Sequence, residues 1–82
     1  MADVIYKYGP IEPGMDFLIV KGQPVHVGLQ NGKIFVWSRN LCEIVEDERT
    51  VRLVATGEAY IDPYIGTVIM PSGLVWHCVE VY

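Results

Sequence analysis

The chain ends in Tyr64-Ile-Gly-Thr-Val-Ile-Met70, Pro71-Ser-Gly73 and Leu74-Val-Trp-His-Cys-Val-Glu-Val-Tyr82, two apolar runs joined by three turn-forming residues. Both runs are rich in β-branched and aromatic residues, which are typical of strands. Three-residue hairpin loops place one residue in a left-handed conformation, and Gly73 stands at that position. The pattern therefore predicts a C-terminal β-hairpin.

The same loop predicts the register of this hairpin, because a pairing that starts at Met70 and Leu74 determines every later pair. The later pairs are Ile69 with Val75, Thr67 with His77, Gly66 with Cys78 and Ile65 with Val79. Both faces of the hairpin are then largely apolar. In so short a chain this predicts that a second subunit covers one face.

A second hairpin is centred on Asn31-Gly32, because these residues tolerate the positive φ angles of a type I′ turn. Its predicted aliphatic face pairs Leu29 with Ile34 and Val27 with Val36. Its other face pairs Gly28 with Phe35 and His26 with Trp37. The aliphatic face is the predicted core, and Gly28 is expected to leave room for the ring of Phe35.

Alternation of apolar and polar residues, with glycine or proline about every ten residues, predicts an all-β domain over residues 1–82. We expect a small antiparallel meander of about seven short strands, curled into a barrel or a sandwich. A helical turn around residues 40–45 is the alternative for one segment. The strands are predicted near 3–8, 16–20, 24–30, 33–38, 49–56, 64–70 and 74–81.

Composition limits the classes of partner. A chain of 82 residues buries only about 60% of its unfolded surface, so a hydrophobic content of 51% predicts a homo-oligomer. Six basic against ten acidic residues argue against nucleic-acid binding. There is no apolar run of about 20 residues for a membrane span and no signal-peptide pattern at the start. We therefore expect a soluble cytoplasmic protein.

The sequence predicts no metal site, cofactor or catalytic group. Cys42 and Cys78 are expected to be small buried hydrophobes, with a single disulfide between them as the alternative. Together with His26 and His77 they lack the spacing of zinc-ligand pairs. His77 is predicted to be a buried imidazole that is hydrogen-bonded to a hydroxyl or carbonyl, with Thr67 opposite it.

Other catalytic patterns are also weak. Ser38 or Ser72 could pair with a histidine, but no nucleophile elbow or oxyanion motif accompanies them. The acidic run at residues 43–48 lacks the alternation of a calcium loop and is predicted to be a solvated loop. We therefore predict that the protein is not an enzyme.

One group of residues does suggest a binding surface. Phe35, Trp37 and His26 share a face of the Asn31-Gly32 hairpin, and Arg39 follows on the same side of its strand. Arg52 points away from the apolar residues of a strand that is expected to neighbour this hairpin. Aromatic rings beside guanidinium groups bind bases and phosphates. In the alternative interpretation, the rings pack against the N-terminal strand or a second subunit.

The order of several short motifs resembles that of a family of small phage and prophage proteins of unknown function. The resemblance spans nearly the whole chain, although this sequence has Trp76 where the family more often has phenylalanine, and Gly9 where it has proline. The motifs are Ile5-Tyr-Lys-Tyr8, Gln30-Asn-Gly32, the Trp37 strand, Arg49-Thr50, Thr56-Gly57, Tyr64-Ile-Gly-Thr-Val68, Gly73-Leu-Val-Trp-His77 and Glu80-Val81.

The resemblance implies a phage accessory protein that acts in the host bacterial cytoplasm. With this setting, we expect a binding protein that antagonises host defence by sequestering a small nucleotide-type signalling molecule in an oligomer. The expected ligand-binding residues are His26, Phe35, Trp37, Arg39 and Arg52. The alternatives are a protein-interaction module that covers a site on a host enzyme and a minor virion protein, with a small hydrolase last.

Overall fold

The computed structural model of the protein describes residues 3–41 and 48–81, and these form seven β-strands without a helix. The all-β class and the number of strands are confirmed. Residues 40 and 41 belong to a strand, and the rest of the predicted helical turn lies outside the described residues. The strands are β1 (Asp3–Ile11), β2 (Leu18–Lys21), β3 (Gln23–Gln30), β4 (Lys33–Leu41), β5 (Glu48–Ala55), β6 (Tyr64–Ile69) and β7 (Val75–Val81).

The strands form two antiparallel sheets. Sheet A has the order β1-β4-β3, and sheet B has the order β2-β5-β7-β6. The sheets do not close into a barrel, and their inner faces share one core, as in a β-sandwich. Only β3–β4 and β6–β7 are hairpins between consecutive strands, so the order departs from a simple meander. The buried core residues are Ile11, Val20, Val27, Ile34, Val36, Val51, Val68 and Cys78.

The β3–β4 hairpin has the predicted register. Asn31 and Gly32 form its turn with φ angles of 54° and 75°, as a type I′ turn requires. All the predicted pairs between Gln30–Lys33 and His26–Trp37 are present. Because side chains alternate along a strand, the even-numbered residues of β4 face the core and the odd-numbered ones face outward.

The β6–β7 hairpin follows the predicted register over most of its length, but the pairing of Ile65 with Val79 is wrong. A β-bulge at Ile65 places Tyr64 opposite Val79 instead, and it lets Ile65 pack against the core. Beside the bulge, a Cβ at Gly66 would lie 2.7 Å from Cγ1 of Val27 on β3. The two sheets therefore approach too closely at Gly66 for a side chain.

The connection between β5 and β6, residues 56–63, passes over part of the outer face of sheet B, and we call it the crossing connection. Because β5 and β6 pair with opposite sides of β7, this connection has to cross β7. Val54 and Val79 on this face are 1% and 0% exposed, although they lie outside the core between the sheets. Val54 and Val79 are therefore shielded from solvent within the single chain, which removes one argument for a second subunit.

Candidate functional site

Two aromatic side chains lie on the outer face of sheet A, at its centre. Phe35 and Trp37 project from β4, which is the middle strand of this sheet. Both are partly exposed, whereas their neighbours Val36 and Ser38 are fully buried on the core side. The rings therefore lie opposite the hydrophobic core, and core packing does not account for them.

The rings of His26, Trp37 and Phe35 contact one another. The centroids of His26 and Trp37 are 5.5 Å apart with planes tilted by 51°, and those of Phe35 and Trp37 are 6.4 Å apart in an edge-to-face arrangement. These distances fall within the range of favourable aromatic pairs. The three rings form one row across β3 and β4.

Gly28 makes room for two of these rings, but not for the one predicted. A Cβ at residue 28 would lie 3.0 Å from Nε2 of His26 and 3.4 Å from the ring of Trp37. The expectation that Gly28 accommodates Phe35 is therefore wrong. A Cβ at Gly9 of β1 would instead lie 3.1 Å from Cδ1 of Phe35, so a glycine that the sequence analysis did not single out leaves this space.

Two cations flank the aromatic row, and each is held by a glutamine. The ammonium of Lys7 lies 4.7 Å from the centroid of the Phe35 ring and donates a hydrogen bond to Oε1 of Gln30 (2.5 Å). Nη2 of Arg39 donates to Oε1 of Gln23 (2.7 Å). A neutral amide orients a cation without neutralising it, so both positive charges remain available to an anion.

We call this surface the aromatic-basic face; it comprises Lys7, His26, Phe35, Trp37 and Arg39. Among the outward strand residues described for sheet A, Lys33 is the third cation and Asp3 is the one carboxylate. The described outward strand residues of sheet A thus include three basic residues and one acidic residue. The other described residues include three basic and six acidic ones, so their net charge has the opposite sign.

Four of the five predicted ligand-binding residues are brought together, and Arg52 is not. It lies on β5, which pairs with β2 and β7 in sheet B. The expectation that this strand neighbours the β3–β4 hairpin is wrong. On sheet B, Arg52 forms ion pairs with Asp62 (3.3 Å) and Glu58 (3.5 Å) of the crossing connection. Its guanidinium is therefore already occupied within the chain.

Lys7 is the member of the site that sequence analysis missed. It pairs with Trp37 because β1 lies beside β4. Its place on the outward side of β1 follows from alternation with its neighbours, which the sequence does show. The pairing of β1 with β4 joins strands that are far apart in the chain, and no turn motif in the sequence predicts it.

The aromatic-basic face is open. The structure has a surface cavity of about 280 Å³ at the end of the sandwich, lined by residues that include Glu12, Lys33 and Met70. None of the five residues of the aromatic-basic face lines it. Lys7, His26 and Arg39 are exposed, and Phe35 and Trp37 are partly exposed, so a ligand can reach this face from solvent.

His77 lies on the other sheet, in a chain of hydroxyl groups. Its Nδ1 is 2.8 Å from Oγ1 of Thr67, and its Nε2 is 2.9 Å from Oγ1 of Thr56. The hydroxyl of Tyr64 extends this chain to Thr67 (2.5 Å). The predicted hydrogen bond to a hydroxyl is confirmed, although the imidazole is partly exposed and not buried. The chain of bonds ties β6 and the start of the crossing connection to β7.

Two further side chains with reactive groups, Ser38 and Cys78, are fully buried. Oγ of Ser38 donates to the carbonyl of Lys21 (2.6 Å) and is fully buried. Cys78 is a free thiol in the core, where burial raises its pKa to about 12. Within residues 3–41 and 48–81 no cluster of histidine, cysteine and acidic side chains could hold a metal ion. Cys42 and most of the acidic run lie outside these residues.

The comparison with protein families identifies the chain. The model of a domain of unknown function, DUF7352, matches residues 1–82, so the chain belongs to the DUF7352 family. No curated protein and no solved structure shows a significant match. None of the described residues forms a helix of the length and apolarity needed to cross a membrane.

Proposed function

We propose that this DUF7352 protein binds a small, planar, negatively charged molecule of nucleotide type on the aromatic-basic face and so sequesters it. The observation that supports this is the location of the rings of Phe35 and Trp37, on the outer face of sheet A between Lys7 and Arg39. Among the described residues, both cations donate hydrogen bonds to neutral amides and form no ion pair.

The chemistry of each side chain suits one part of such a ligand. An exposed aromatic ring stacks on a nucleobase, and each such contact contributes about 1–3 kcal/mol. Lys7 and Arg39 would bind the phosphates through charge-assisted hydrogen bonds. His26, beside Trp37, offers a donor and an acceptor to the base or the sugar.

The charge distribution favours an anion at this face. The basic side chains there stand out from an otherwise acidic molecule, so an anion is attracted to this face and repelled elsewhere. The same overall acidity weakens long-range attraction to duplex nucleic acid. A compact ligand with one or a few phosphates fits these charges better than a polyanion does.

The biological setting is a further part of the proposal and derives from the family resemblance. A phage protein that removes a signalling nucleotide from the host cytoplasm would antagonise a defence system that depends on this nucleotide. This role requires tight binding without cleavage of the ligand, and an oligomer that joins several binding faces would strengthen that binding.

A second candidate is a module that covers a site on a host protein. The composition of the aromatic-basic face favours it, because protein interfaces are rich in aromatic residues and arginine. Trp37 and Arg39 would then be the residues that contribute most to binding.

A ligand screen with two matched variants tests the proposal. A panel of cyclic and linear nucleotides and ADP-ribose derivatives should contain a compound that raises the melting temperature, since ligand at 100 times its Kd adds about 2.7 kcal/mol. Trp37→Leu should weaken its binding by about 5- to 150-fold, the equivalent of one stacked base. Phe17→Leu is the control, because Phe17 is 51% exposed and lies outside the aromatic-basic face.

The outcomes separate the two candidates. Recovery of the compound intact from the complex supports sequestration. If no member of the panel binds, and Trp37→Leu abolishes the capture of one bacterial protein while Phe17→Leu does not, the protein-interaction candidate replaces the nucleotide one.

A further inference from the structure

β1 is an edge strand of sheet A in the described part of the chain. It pairs with β4 through one edge, and the described strands place nothing against the other. Ile5 and Tyr6 in its middle are 54% and 50% exposed. The ladder with β4 is regular from Asp3 to Tyr8, and the irregularity follows only after Tyr8. Asp3–Tyr8 of β1 is therefore a regularly paired, partly apolar edge, of the kind that pairs with another strand.

The sequence of this edge is complementary to itself. If two β1 strands pair antiparallel about a two-fold axis at Ile5, Asp3 of one copy lies opposite Lys7 of the other, and the reverse pair forms on the far side of the axis. Val4 then lies opposite Tyr6, and Ile5 meets its own copy. Opposite charges, and a β-branched residue opposite an aromatic one, are favourable cross-strand pairs.

From this complementarity we infer that two copies of the chain associate through their β1 edges, centred on Ile5. Asp3 is exposed and forms no ion pair within the described part of the chain, so its carboxylate is available. Lys7 donates to Gln30, and its ammonium has three donors. Its side chain would turn toward the edge to meet Asp3 of the second copy.

The other edge strands are less suited to this pairing. β3 contains Pro24, which lacks an N–H donor, and an irregularity between Pro24 and His26. β2 has only four residues. β6 has a bulge at Ile65 and no charged residue. β1 is thus the edge among the described strands that combines length, regularity and opposite charges.

The pairing joins two binding faces. A two-fold axis perpendicular to the sheet keeps the outer faces of both copies on the same side, so two three-stranded sheets become one of six strands. The second copy brings its own Trp37 and Arg39 to the continuous surface. In the dimer each Lys7 lies beside Asp3 of the other copy, so Lys7 can still donate a hydrogen bond to a ligand and Arg39 supplies the net positive charge. The β1 pairing would form the oligomer of the proposed function. Only the use of the joined face for ligand binding rests on that function. The association itself needs no ligand.

Charge reversal tests the pairing without ligand. By sedimentation equilibrium, the wild-type chain should form a dimer at high micromolar concentration. Lys7→Glu or Asp3→Lys should raise the dissociation constant about tenfold or more, because each change turns two attractive pairs into two repulsive ones. The double variant Asp3→Lys with Lys7→Asp should dimerise like the wild type, since the pair is restored with its charges exchanged. Lys33→Glu is the control, because it makes the same charge change on the same face away from β1.

Cross-linking locates the axis. In a Cys42→Ser background, Ile5→Cys should give a covalent dimer on oxidation that thiols reverse, while Ile19→Cys on the outer face of sheet B should not. A monomer at every concentration tested, failure of the charge exchange to restore the dimer, or cross-linking through Ile19→Cys in place of Ile5→Cys would overturn the inference. Because these readouts contain no ligand, ligand binding by a monomer would leave the nucleotide proposal standing.

Discussion

The outer faces of the two sheets contain the same types of residue and use them differently. Sheet A presents Trp37, His26 and Arg39, and sheet B presents Tyr64, His77 and Arg52. On sheet B the imidazole and the guanidinium are bound by hydroxyls and carboxylates of the same chain. On sheet A the hydrogen-bond partner that the described residues provide for the guanidinium is a neutral amide. The same residue types are thus held by the chain itself on sheet B and left accessible on sheet A.

Strand order explains the difference. On sheet B, β7 lies between two strands that are joined to each other, so a segment has to pass over it. On sheet A, β3 and β4 are joined by a two-residue turn, and this connection crosses no strand. Part of one outer face is thus crossed by its own chain, and His26 and Arg39 on the other face remain exposed.

The largest expected effect compares a buried position on the outer face of sheet B with an exposed position on the outer face of sheet A. Val79→Asp buries a carboxylate beneath the crossing connection, where burial of an unpaired charge costs several kcal/mol, about 4 or more. Ile5→Asp on sheet A changes the free energy of unfolding by less than about 1 kcal/mol. Urea unfolding followed by circular dichroism measures both at a dilute concentration. Equal costs would show that the face over Val79 is not covered.

The next effect concerns the ring row of sheet A. Gly28→Val should lower the free energy of unfolding by about 1–3 kcal/mol, because a side chain there meets the rings of His26 and Trp37. If the imidazole is the obstacle, His26→Ala in the same chain should recover part of this loss. Recovery by Phe35→Ala and not by His26→Ala would favour the original assignment of this space to Phe35.

Arg52 should affect mainly the stability of the fold, and Arg39 should affect mainly ligand binding. Arg52→Gln should cost about 1 kcal/mol of stability, because the mostly buried carboxylate of Asp62 loses its partner. Arg39→Gln should change stability by less than about 0.5 kcal/mol but weaken binding of a phosphorylated ligand. Thermal unfolding and titration calorimetry of both variants give the comparison. Weaker ligand binding by Arg52→Gln alone would contradict the placement of the site on sheet A.

The smallest effect is expected in the core between the two faces. Burial raises the pKa of Cys78 to about 12, so the folded thiol stays neutral at pH 8. In a Cys42→Ser background, iodoacetamide should leave the folded protein unmodified and alkylate it in urea, as mass spectrometry would show. The thiol of the unfolded chain ionises near its ordinary pKa of 9.0, whereas the folded one stays neutral. The stability of the fold is therefore fully retained below pH 9, and the free energy of unfolding falls as pH rises from 9 toward 12. Alkylation of the folded chain at pH 8 would argue against burial.

Much of the local structure was predictable from the sequence. Asn31-Gly32 and Gly73 mark two hairpins because few residues adopt the left-handed conformations that tight turns need. Once a turn is known, the period of two along each strand places Phe35, Trp37 and His26 on one face. The bulge at Ile65 was not predictable, because it accompanies the packing of that side chain against the core, which the residue pattern of one strand does not show.

Four residues of the candidate site were therefore predicted, since they belong to one hairpin, and two assignments depended on the tertiary structure. Lys7 joins the site through the pairing of β1 with β4, and Arg52 leaves it because β5 lies in the other sheet. The entropy cost of closing a loop changes only slowly with loop length, so no single long-range pairing is strongly preferred on that basis. The partner of each distant strand is decided when all apolar faces are buried together. The sequence alone determined the two hairpins and their faces, whereas the packing of the sheets decided which face the chain itself covers.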